Sequence, residues 1–179
     1  MSQPLKMLDL GCGNTKRPGA VGVDFNDRTA ADIVHNLNSF PYPFEDASFD
    51  EIYLDNVLEH LDDVMGVMEE VHRICKPGGV VKVIVPYFRS LWAFMDPTHQ
   101  HFFTVNSFAY FDPESIICTR YDYTLARFKP EKIIFNETQW CRWTKNIVLM
   151  FANRWPVKYE TYLSHLYPLE DITYYLRKP

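Results

Sequence analysis

Asp9, Gly11, Gly13 and Asp24 lie in the stretch "LDLGCGNTKRPGAVGVDFN" (8–26), with types and spacing that suit a small ligand. Glycine accepts positive φ and lets the backbone approach a ligand closely. An acid at the end of the next strand accepts hydrogen bonds from ribose hydroxyls. The pattern therefore points to a nucleoside cofactor. It departs from G-x-G-x-x-G, because Lys16 stands at the third glycine position, and the G-x-x-x-x-G-K-[ST] phosphate loop is absent. A dehydrogenase reading is weak for that reason. Asp9 beside the loop would repel a pyrophosphate and suits a ligand with a cationic amino group and a sulfonium.

A second group of candidates follows the later strands. His60, in "LEHL", could face an acceptor or serve as a buried or capping histidine. In "DPTHQHFFT" (96–104), His99 and His101 share a face if the chain is extended, and Asp96 is nearby. Two histidines and a carboxylate suit a metal, or a general base with its orienter. A loop fixed by Asp96-Pro97-Thr98 hydrogen bonding accounts for them too, and no metal is assigned. Tyr87, closing an apolar strand, could hydrogen-bond an acceptor or simply pack. Arg89 would suit an anionic group. His60, Tyr87, His99 and His101 are thus the catalytic candidates. Cys12 is read as a small packed side chain.

The elements that must position these residues are mostly strands. "KMLDL" (6–10), "AVGVDF" (20–25), "ADIVHN" (31–36) and "DEIYLDN" (50–56) are short apolar runs. "VVKVIVPY" (80–87) is unbroken and β-branched, as expected of an interior strand. Over 61–79, Val64, Val67, Met68, Val71 and Ile74 or Cys75 follow helical spacing. Asp62 and Asp63 favour the first turn and Lys76-Pro77-Gly78-Gly79 gives a stop. Strands alternating with helices argue for a parallel sheet. Beyond Pro86 lie 22 of the 28 aromatics, so the second half is expected to supply an acceptor side. Trp92, Phe94, Phe102, Phe103, Tyr110 and Phe111 are candidate lining, with most of them ordinary core. Here 104–112 suggests a helix capped by Thr104 or Asn106, 121–137 suggests strands around a Lys-Pro-Glu turn, and 172–179 a last strand.

"LDLGCG" (8–13) resembles the first motif of class I S-adenosylmethionine-dependent methyltransferases. "PFEDASFDEIYLDNVLEHL" (43–61) and "VHRICKPGGVVKVIVP" (71–86) are similar, in order, to the type 11 methyltransferase domain. The resemblance implies an α/β, Rossmann-like three-layer sandwich with a mostly parallel seven-stranded sheet, its last strand antiparallel. It implies S-adenosyl-L-methionine as cofactor and S-adenosyl-L-homocysteine as product. It places Asp9, Gly11, Cys12 and Gly13 near the methionine part and Asp24, with Phe25 beside it, on the ribose. Asn36 and Leu37 fall near adenine, and Asp55 and Asn56 on the floor of the site. The departure is the first crossover. "NTKRPGA" (14–20) stands where the family carries a full helix, so a turn or short helix redirected by Pro18-Gly19 is expected. Asn36 also replaces a common acid.

Composition bounds the rest. A chain of 179 residues is read as one domain, with residues 1–88 as the cofactor half and 89–179 as the acceptor half. The net charge of −5 disfavours nucleic acid as partner. No apolar run reaches the roughly 18 residues of a membrane span. Scattered cysteines and a start unlike a signal peptide suggest free thiols and a cytoplasmic location. The expected function is methyl transfer to a small-molecule or sugar-like acceptor by a monomer or homodimer. The alternative is a non-catalytic, methyltransferase-like partner-binding subunit.

Overall fold

The computed structural model describes residues 4–136 and 143–179. Its centre is a seven-stranded sheet in the order β3-β2-β1-β4-β5-β7-β6. The strands are β1 (Met7–Leu10), β2 (Ala20–Asp24), β3 (Ile33–Val34), β4 (Phe49–Asp55), β5 (Cys75–Pro86), β6 (Lys129–Phe135) and β7 (Asp171–Arg177). Strands β1 to β5 pair in parallel, while β7 runs antiparallel between β5 and β6. This is the α/β Rossmann-like arrangement expected. The strand order reverses at β1 and β4, which is where open α/β sheets bind ligands, beyond their carboxyl ends.

The helices are α1 (Val64–Ile74), α2 (Trp92–Met95), α3 (Ile116–Tyr121), α4 (Trp143–Arg154) and α5 (Pro156–Tyr162). Helix α1 buries Val67, Met68, Val71 and Ile74 on one face, and Asp63 caps it by accepting the Gly66 N–H at 2.9 Å. The expected alternation of strands and helices in the first half is corrected. Among the described residues, the connections β1–β2, β2–β3 and β3–β4 carry no helix. β3 has only two residues, so the sheet ends there on a short edge.

The β1–β2 crossover explains how this is accommodated. β1 is four residues long, about 13 Å, so residues 11–19 can span back to the start of β2 without a helix. The return is a turn: the Ala20 N–H donates to the Arg17 carbonyl at 3.1 Å around Pro18 and Gly19, with Gly19 at φ +81. Pro and then positive-φ Gly are the residues of a type II turn. Side chains tie the loop down. Lys16 reaches Asp32 at 2.7 Å, and Asp32 also accepts the Gly22 N–H.

Three other expectations change. β5 begins at Cys75, and residues 76–79 sit in a register shift between the pairs Phe49–Cys75 and Glu51–Val80. Lys-Pro-Glu, expected as a turn, lies inside β6, an edge strand with an irregularity between Pro130 and Lys132. An edge or a bulge is where a strand tolerates proline. The expected helix at 104–112 is a 3₁₀ turn over Ser107–Tyr110. Cys141 lies outside the described residues.

Candidate active site

A cleft of about 540 Å³ opens beyond β1, β2 and β4. Gly11, Asp24, Phe25, Asn36, Leu37, Asn56, Val57, His60, Leu61 and Thr98 line it, with Asn38. Six of the residues expected at the cofactor, Gly11, Asp24, Phe25, Asn36, Leu37 and Asn56, are among them. Gly11 is forced by geometry: its φ is +70, and a Cβ there would lie 2.4 Å from Val57 Cγ2. Only glycine lets Val57 close the floor. The Asp24 carboxylate accepts the Gly13 N–H through Oδ2 and the Asn26 N–H through Oδ1, both at 2.9 Å. Each oxygen keeps a second lone pair, which suits a vicinal diol. Phe25 is 76% exposed at the rim, and Leu37, Val57 and Leu61 give the cleft an apolar wall. These residues fit a nucleoside.

The remaining residues expected at the cofactor are placed differently. Asp9 is 4% exposed and accepts the Arg17 N–H at 2.8 Å, and burial raises its carboxyl above the usual carboxylate range. Asp55 pairs with the Arg17 guanidinium at 2.5 Å, and that guanidinium lies 4.0 Å from the Tyr53 ring centre. Arg17 therefore claims Asp9, expected near the methionine part, and Asp55, expected on the floor of the site, and neither lines the cleft. Cys12 is buried beneath the loop with its thiol pushed up by burial, so it packs. Gly13 contributes its N–H to Asp24 and stands off the lining.

A second cleft of about 490 Å³ adjoins the first and shares Asn56 and His60 with it. Its other lining is Glu59, Pro86, Trp92, Met95, Asp96, His99 and Asp171. His60 and His99 meet edge to face with ring centres 4.7 Å apart. His60 Nδ1 lies 2.9 Å from Thr98 Oγ1, whose own hydrogen goes to Asp96 at 2.7 Å. His99 Nδ1 faces the Ala93 carbonyl at 3.1 Å. Burial, joined by the neighbouring His99, lowers the His60 pKa.

The sequence pairing of His99 with His101 is corrected. The turn over Asp96–His99 swings His99 toward His60, and His101 stands off the cleft lining. Tyr87 is also corrected: it is fully buried against Phe88, Phe135 and Tyr159, with its hydroxyl pushed up by burial, and lines neither cleft. Arg89 lies against Phe88 at a separate hollow with Phe94. Of the aromatics, Phe103 and Phe111 are core, whereas Trp92 reaches the second cleft. Glu59 was missed. It is 1% exposed, and burial pushes its carboxyl up to about 8. The one signal was an acid flanked by apolar residues in "VLEHL".

Comparison with known proteins agrees with this geometry. Residues 8–83 match the family model described as a methyltransferase domain. A structure of a SAM-dependent methyltransferase from Archaeoglobus fulgidus covers 97% of this chain and 86% of its own, with TM-score 0.61 and 16% identity. This is a class I S-adenosylmethionine-dependent methyltransferase fold. The match supports S-adenosylmethionine as the cofactor. A structure described as a complex between the Haloferax volcanii Trm112 methyltransferase activator and a methyltransferase matches with TM-score 0.57 and 18% identity, over 98% of this chain and 83% of that one. A demethylmenaquinone methyltransferase of Shouchella clausii is 32% identical over 118 residues, 49% of this chain and 50% of that protein. The chain spans about half the length of the curated relatives it matches.

Proposed function

We propose that the chain transfers a methyl group from S-adenosylmethionine to a small-molecule acceptor, an activity of the class EC 2.1.1. The observation that carries this reading is the meeting of two clefts at Asn56 and His60. One fits a nucleoside, and the other is large enough for a small acceptor. When bound, the cofactor supplies a methyl group on a sulfonium, which needs positioning and exclusion of water more than proton chemistry. Asp24 would hold the ribose diol, and Asn36 and Leu37 the base. Trp92 and Met95 would give the acceptor an apolar wall. His60 and His99 border the acceptor cleft, His60 with its Nδ1 fixed through Thr98 to Asp96. A small-molecule acceptor accords with the named activity of the Shouchella relative.

Calorimetric titration with S-adenosylhomocysteine, with NAD as control, tests the reading. Binding of the first alone, weakened about tenfold or more by Asp24→Ala, is expected, since a charge-assisted hydrogen bond contributes about 1.5–3 kcal/mol. No binding by a folded protein would reject it. The alternative, a partner-binding subunit, rests on one feature: Leu91, Trp92, Phe94, Met95 and Phe102 are all exposed on one short segment. Turnover by the isolated chain would reject that alternative.

A further inference from the structure

We propose that Glu59, His60 and His99 form a divalent-metal site opening into the acceptor-side cleft. One ligand atom from each lies within 4.8 Å of the others, so the three converge on one point. Convergence alone is common on surfaces. Here an independent feature adds to it. Glu59 is 1% exposed, and neither carboxylate oxygen has a hydrogen-bond partner among the described residues. A buried carboxylate without partners is costly, and proteins satisfy it with hydrogen bonds, a countercharge or a metal. The charged groups that act most on it, Asp171 and Asp96, carry its own sign. A cation is what the position lacks.

The histidines are prepared in the same sense. Thr98 Oγ1 spends its hydrogen on Asp96, so it must accept from His60 Nδ1. The Ala93 carbonyl can only accept, so His99 Nδ1 is also a donor. Both rings are thereby held in the tautomer with a free lone pair on Nε2. A histidine whose far nitrogen is fixed to a carbonyl, or through a hydroxyl to a carboxylate, is the outer shell that metal ligands carry. Two imidazoles and one carboxylate suit a first-row divalent cation such as Zn²⁺, with a position left open. That position faces the cleft shared by Trp92, Met95 and Asp171, where an acceptor oxygen would complete the coordination. Two ligand atoms each about 2.1 Å from a tetrahedral ion sit about 3.4 Å apart, so a pair separated by 4.8 Å draws in by about 1.4 Å on binding.

The site does not depend on which acceptor is methylated, and its test does not use turnover. Chelator-treated protein is titrated with Zn²⁺ by calorimetry and with Co²⁺ by visible absorption. One equivalent with micromolar or tighter affinity is expected, with Co²⁺ bands of nitrogen and oxygen ligands and no thiolate band. Glu59→Gln and His99→Ala should each weaken binding at least tenfold, while His101→Ala and His165→Ala, the latter in the separate hollow beside Arg89, leave it unchanged. Thr98→Val, which frees the His60 ring without removing a ligand, should weaken it about tenfold. Circular dichroism confirms that each variant is folded. Absence of binding, a thiolate band, or equal loss in the His165 variant would overturn the proposal. S-adenosylhomocysteine binding persists in either case, which separates this failure from that of the proposed function.

Discussion

At the scale of single residues, Gly11 and Gly13 look alike in sequence and differ in kind. Both have positive φ, +70 and +51, but a Cβ at Gly13 meets nothing within 4 Å, whereas one at Gly11 strikes Val57. Gly13→Ala should therefore cost about 1 kcal/mol, the price of a left-handed alanine. Gly11→Ala adds a steric clash and should cost about 1–3 kcal/mol more, and should narrow the nucleoside cleft. Urea unfolding with S-adenosylhomocysteine titration checks both; equal costs would refute the distinction. The same residues show what was legible. Gly11, Asp24, Phe25, Asn36, Leu37 and Asn56 could be placed because their spacing follows strand ends, which are local. Arg17 taking Asp9 and Asp55, and Glu59 meeting His99, join residues 8, 38 and 40 positions apart through tertiary packing. No spacing encodes such encounters.

At the scale of elements, α1 was legible from its helical spacing, and β1, β2, β4 and β7 as apolar runs, because a strand shows its period of two within four to seven residues. Helices α2, α3 and α5 escaped because they run only four to seven residues, shorter than their own pattern. The 61–79 segment shows the limit at a boundary. Asp63 read as a first-turn charge, but it is the cap itself, accepting the Gly66 N–H. Asp63→Ala should destabilise the protein by about 1 kcal/mol, and Asp63→Asn by much less, because an amide oxygen also caps. Asp62→Ala, one residue earlier, should leave stability nearly unchanged if Asp63 alone satisfies the helix end. Thermal denaturation of the three variants decides it.

At the scale of the whole molecule, we infer that the two halves fold as one unit. β7 pairs along β5 from Val80–Arg177 to Pro86–Asp171, wedging the chain's last strand into the first half's sheet. Lys178 then donates to the His72 and Cys75 carbonyls, at 2.7 and 2.9 Å. From the segment before β6, Thr124 donates to Glu69 of α1 at 2.7 Å, and Phe128 meets the His72 ring edge to face. His72 is thus half-buried at the seam. Burial first, then the Lys178 and Arg127 charges, push its pKa from 6.5 down to about 4. The fold prefers the neutral ring. That preference stabilises fully above about pH 6.5 and is lost as pH falls through about 4, since the unfolded chain binds the proton more readily. A single unfolding transition is expected by both circular dichroism and tryptophan fluorescence, weakening below pH 6.5. His72→Gln should lose packing at neutral pH yet show a flatter decline between pH 6.5 and 4 than the parent. Parallel declines would show that the seam histidine stays protonated in the fold, and two separate transitions would show that the halves come apart independently.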